Sequence, residues 1–98
     1  MERDELIRLV SERPEALSVV RHARNALRYY RLSVGDLATL LLACERTAPS
    51  DNGRTNMFCS LGDGTEWCVT VKMEDDELVV ITVVDKTPSH QRTPRSRR

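Results

Sequence analysis

Residues 64–84 read GTEWCVTVKMEDDELVVITVV, and the rest of the chain has to be built around them. From Thr65 to Met73, Trp67, Val69, Val71 and Met73 alternate with Glu66, Cys68, Thr70 and Lys72, the period of a strand with one dry face and one wetter face. Glu74 to Glu77 supply a turn. Leu78–Val84 is continuously apolar and mostly β-branched, which predicts a central strand covered on both faces. Upstream, Asn56 to Leu61 reads as a third strand, joined to the pair by a hairpin loop at Gly62, Asp63 and Gly64.

The N-terminal half has the other period. Asp4 to Glu12 sets Leu6, Ile7, Leu9 and Val10 among charges, a short peripheral amphipathic helix ended by Arg13 and Pro14. A brief extended piece, Ala16 to Val20, leads into a second helix over Arg21 to Leu32, where Ala23, Ala26, Leu27 and Tyr30 line up one buried face. Ser33 is placed to cap a third helix, about 34–46, with Asp36 three residues on completing a capping box. Its stripe of Val34, Leu37, Leu40, Leu41 and Cys44, widened by Leu42, predicts packing against a sheet. Thr47 to Gly53 is dense in turn formers and divides the two halves. The expected fold class is α+β, with N-terminal helices on one face of a small antiparallel sheet.

With 98 residues, 40% of them hydrophobic, the chain has room for one core, which excludes multidomain enzymes. Formal net charge is zero, but residues 1–85 hold all 15 acidic groups against 10 Lys and Arg. Residues 86–98, with Lys86, Arg92, Arg95, Arg97 and Arg98, carry the other five cations and nothing apolar. This divides the chain into a folded domain, 1–85, and a disordered basic tail, 86–98, able to attract nucleic acid through counterion release. No apolar run approaches the ~18 residues that span a bilayer, and Met1–Glu5 lacks the basic-then-apolar order of a signal peptide. The expectation is a cytoplasmic protein without membrane contact.

Cys44, Cys59 and Cys68 form no CxxC pair and read as reduced core residues, although Cys59 and Cys68 could face each other across the hairpin. GxSxG, Walker A, HExxH and GxGxxG motifs are absent. The only histidines are His22 and His90, the latter in the tail, so no metal site and no cofactor are expected. The second helix holds what chemistry there is. Arg21, Arg24, Arg28 and Arg31 share a stripe beside its buried face, and His22, Asn25 and Tyr29 fall on the opposite flank. Metal-free RNA cleavage needs a base for the 2′-hydroxyl, an acid for the leaving oxygen and cations for the phosphate. The arginines, with Arg54 at the start of the sheet, supply cations, while His22 and Tyr29 are the candidate catalytic groups. A solvated helix face accounts for the same residues without any chemistry.

The stretches SVVRHARNALRYYRLSVGDLATLL and GTEWCVTVKMEDDELVVITVV together resemble a family of small uncharacterised prokaryotic domains. Its marks are a histidine-alanine helix start, here His22 and Ala23, a cap at Leu32 and Ser33, and a closing strand pattern at Val80 to Val83. That family looks related to the RelE and ParE toxins of the barnase, EndoU, colicin and RelE grouping. The resemblance implies a RelE-like fold that binds RNA or the ribosome, in the form of a metal-independent ribonuclease toxin with an antitoxin-like protein partner. It also implies that His22 is the acid/base. The family's basic positions, four and eight after the histidine, are Ala26 and Tyr30 here. The alternative is a catalytically silent protein-interaction module of the same fold, acting as a homodimer.

Overall fold

The computed structural model describes residues 2–62 and 64–88. His90, Asp63 in the expected hairpin loop, and the expected disordered tail from residue 89 onward lie outside the described residues. Three helices, α1 (Arg3–Glu12), α2 (Arg21–Tyr30) and α3 (Val34–Leu42), accompany five strands, β1 (Leu17–Val19), β2 (Cys44–Pro49), β3 (Thr55–Ser60), β4 (Glu66–Glu74) and β5 (Glu77–Asp85). The strands lie in the order β1-β5-β4-β3-β2. The fold is α+β, as its two sequence periods predict.

Strands β2 to β5 form an antiparallel meander, whose β4–β5 turn runs through Asp75 and Asp76, both with positive φ. Two such residues in a row give the backbone twist that closes a tight hairpin. Gly62 and Gly64 flank the β3–β4 loop at φ 80° and 88°, a region that favours glycine. The sheet is nevertheless mixed, because β1 pairs with β5 in parallel. A three-residue strand carries no local mark of direction, so the expected all-antiparallel sheet is corrected by a pairing made across most of the chain.

Four further expectations change. Helix α3 stops at Leu42, and Cys44 begins an edge strand where helix and turn were expected. The segment CERTAP has weak strand propensity and is held by its ladder to β3, with Pro49 at the strand end where a missing N–H is tolerated. Helix α1 is not peripheral, because Leu6 and Val10 insert fully into the core. Strand β5 is covered on one face only. Leu78, Val80 and Val83 lie under the helices, while Val79 and Ile81 are half-buried and Val84 is exposed on a face that no described helix covers. Its apolar run reflects β-branched strand preference more than two-sided burial.

The domain also extends past residue 85. The Lys86 N–H donates to the Glu66 carbonyl at 2.7 Å, and the Thr87 hydroxyl accepts from the Glu66 N–H at 2.8 Å. Thr87 is buried by this bridge, so the basic segment's first residues are anchored to the Glu66 backbone by hydrogen bonds, one from the Lys86 N–H and one through the Thr87 hydroxyl, that need no apolar side chain.

Candidate functional site

Helix α2 is held by its buried face. Ala23 and Leu27 enter the core, and Ala26 and Tyr30 pack against it. Tyr30 meets Trp67 edge-on, with ring centroids 5.0 Å apart, and its hydroxyl oxygen accepts from the Asp85 N–H at 3.3 Å. Ala26 and Tyr30 are therefore core-facing, and neither places a cation on this side of the helix. The helix ends on Arg31 in the left-handed conformation, with the Leu32 N–H closing back onto the Leu27 carbonyl at 2.8 Å.

This anchoring turns Arg21, Arg24, Asn25 and Arg28 outward, where with Val19 they line a shallow recess of about 460 Å³. Arg24 Nε donates to the Val19 carbonyl at 3.0 Å, which fixes one side of that guanidinium against the end of β1. Arg21, Arg28 and Arg31 are exposed, and among the described residues no carboxylate forms an ion pair with any of the four arginines. The helix N-terminus adds to the positive field. Val20 offers no side-chain cap, and the first turn contains no acid. Two arginines therefore stand where the helix dipole already favours an anion and disfavours cations.

The predicted residues are only partly brought together. Arg21, Arg24 and Arg28 share the recess, while Arg31 sits at the far end of the helix. His22 and Tyr29 are exposed on the neighbouring flank, and Tyr29 at 81% exposure stacks edge-on against Tyr30. Seven residues of α-helix separate them by about 10 Å along the axis. Arg54 lies elsewhere, in a recess with residues 47–50, Gly53 and Thr55, three strand spacings from Val19, roughly 15 Å away. Its Nε is enclosed, with no hydrogen-bond partner among the described residues. Asn25 joins the arginines instead of the His22 and Tyr29 flank. Its angular place, about 40° from Arg21 on a helical wheel, is the signal that could have assigned it there.

The three thiols are buried, and desolvation pushes each of their pKa values up. Cys59 faces Cys44 across β2 and β3, whereas Cys68 is paired with Phe58 on the opposite side of the sheet. The expected Cys59–Cys68 approach is thus ruled out by register, since neighbouring positions of a ladder alternate faces. Among the described residues no group of three or more His, Cys, Asp or Glu is gathered as a metal site, and no helix is long and apolar enough to cross a membrane.

Compared with known proteins, the chain matches no family, no curated protein and no solved structure. What the fold and site define is a class: an α+β domain with three helices on one face of a mixed sheet, one of them presenting an uncompensated basic face.

Proposed function

We propose that this protein binds RNA, free or within the translation machinery, through the outer face of α2. One observation carries the reading: the α2 arginines have no acidic partner among the described residues, on a helix with an uncapped N-terminus. Self-compensated surface arginines are common and need no ligand. Here, in a domain whose first 85 residues are net negative, four of the ten Lys and Arg fall on α2 and its C-cap with no acid among them, and two of these, Arg21 and Arg24, stand at the end where they oppose the helix dipole. A phosphate backbone laid along the recess removes both costs, with forked guanidinium donors matched to phosphate oxygens.

The narrower form of the proposal follows the RelE-like resemblance: a ribonuclease toxin, restrained by an antitoxin-like partner, in which His22 takes or gives the proton and Tyr29 assists. The competing reading is a silent interaction module, as a homodimer or with another protein. It is favoured by the shallowness of the α2 recess and by the two-turn separation of His22 and Tyr29, too far for both to reach one phosphodiester unaided.

One set of proteins tests all three. The full chain, the R21Q/R24Q/R28Q variant and His22→Ala are titrated with a fluorescent single-stranded RNA across a salt series, then incubated with messenger RNA on ribosomes. RNA binding through α2 requires the triple variant to lose at least tenfold in affinity and to flatten the log-log salt slope by about 2, at ~0.7 per phosphate contact. Equal binding by the triple variant would overturn the proposal and hand the affinity to the tail. Discrete cleavage lost only in His22→Ala establishes the ribonuclease. Neither binding nor cleavage, with a dimer mass by light scattering, establishes the silent module.

A further inference from the structure

Cys44 and Cys59 are register partners on β2 and β3, with side chains only 1% and 2% exposed. Just outside this pair the Ser60 N–H donates to the Ala43 carbonyl at 3.4 Å. That bond places the cysteines at a non-hydrogen-bonded position of the ladder, where opposite α-carbons approach most closely, to about 4.5 Å. Disulfides span α-carbon separations of about 4.4 to 6.8 Å, so the backbone is already within range of a bridge. In the reduced fold each thiol donates to a nearby carbonyl, Cys44 Sγ to Arg46 at 3.2 Å and Cys59 Sγ to Met57 at 3.7 Å. Cys59, though only 2% exposed, borders a recess of about 270 Å³ with Arg46, Phe58, Glu66, Trp67 and Lys86, large enough to hold a small oxidant.

We propose that Cys44 and Cys59 are a dithiol–disulfide couple, closed by a hydroperoxide, that fastens the edge strand β2 to β3. Cys59, deprotonated as it reacts, attacks one oxygen of hydrogen peroxide. The S–O bond forms, the O–O bond breaks, and the leaving hydroxide carries away the thiol proton as water. Cys44 then displaces the hydroxyl from the Cys59 sulfenic acid. The S–S bond forms, the S–O bond breaks, and a second water leaves with the second thiol proton. Two electrons pass from the sulfurs to the peroxide, which becomes two waters. Burial holds both thiols in their protonated form, which makes closure slow in the resting fold and suits a bond that records sustained oxidation. The consequence is mechanical. Strand β2 pairs on one side only, with β3, and the bridge would tie its first residue to the ladder where the register shifts between Cys44 and Arg46. This inference is independent of what α2 binds.

The test uses the full chain carrying Cys68→Ser, which leaves one pair of thiols. After hours in hydrogen peroxide, the protein is denatured without reductant, alkylated and weighed. Closure gives a monomer lighter by about 2 Da that takes up no alkyl group. Trypsin then yields residues 32–46 linked to 55–72, and the melting temperature rises by several degrees until dithiothreitol is added. Two alkyl groups per chain, oxygen adducts of about 16 Da per cysteine, or linkage only in covalent dimers would each overturn the proposal. Should Cys68→Ser disturb the fold, the unsubstituted chain decides. A link between 32–46 and 55–72 that vanishes in Cys59→Ser supports the couple, and one that persists there, or a Cys59–Cys68 link within 55–72, refutes it.

Discussion

Helices α2 and α3 follow one another with a three-residue connection and nearly equal length, yet they are built on opposite terms. In α3, Ser33 Oγ accepts from the Asp36 N–H at 2.9 Å, and an Asp36 carboxylate oxygen accepts from the Ser33 N–H at 2.8 Å, so orphan amide groups are satisfied at its start. Leu37, Leu40 and Leu41 then vanish into the core. Local capping and packing account for that helix. In α2 the start is uncapped, cations occupy the turn where acids belong, and only Ala23 and Leu27 are fully buried. Packing explains why α2 is present and where it sits, but not why it carries Arg21, Arg24 and Arg28 outward. Residues that local physics would choose otherwise are where a ligand earns its place in the explanation.

The contrast can be broken from either side. The largest effect is expected from Leu41→Ala or Leu37→Ala in α3, each costing about 2–5 kcal/mol by urea denaturation, because a fully enclosed leucine leaves a cavity. In α2, R21Q/R24Q/R28Q should instead keep or slightly raise the melting temperature while RNA affinity falls at least tenfold. A loss of stability as large as the leucine variants' would mean that the arginines are structural after all. Ser33→Ala should cost about 1 kcal/mol through the lost cap, whereas Val20→Asp supplies α2 with the cap it lacks but gives up Val20's packing on the core, so it should weaken RNA binding with a change in stability smaller than that of Ser33→Ala. The smallest shift belongs to Arg31→Gly. With φ at 61°, glycine relieves left-handed strain at some entropic cost, for a net gain of roughly 0.5 kcal/mol and little change in RNA affinity, since Arg31 stands apart from the recess.

The bare face of the sheet extends the same lesson. It is covered by no described helix and is stitched instead by side-chain contacts: Arg46 lies 3.9 Å over the Phe58 ring, Thr70 donates to Asn56 at 2.7 Å, and Lys72 pairs with Glu74 at 3.6 Å. Each is a half-exposed contact of modest worth. They explain why alternation was so legible in β4 while β5, buried on one face and β-branched on both, looked like a strand with two covers.

Periodicity and turn chemistry alone determined a good deal of this protein: the helical spacing of the first half and the strand spacing of β3 to β5, the Ser33–Asp36 cap, the β4–β5 turn and the α2 arginine stripe. These are local properties, carried by neighbours within a few positions, and so they survive being read in one dimension. The direction of β1, the strand character of Cys44–Pro49, the depth of α1 and the anchoring of Thr87 rest on partners 6 to 61 residues away. The site divides in the same way. Helical spacing put the arginines together, but only the packed structure moved Asn25 to their side, set Arg54 apart and brought Cys44 against Cys59. Strand pairing and helix docking exchange local preference for long-range contact, and no pattern within a single segment records which distant segment it will meet.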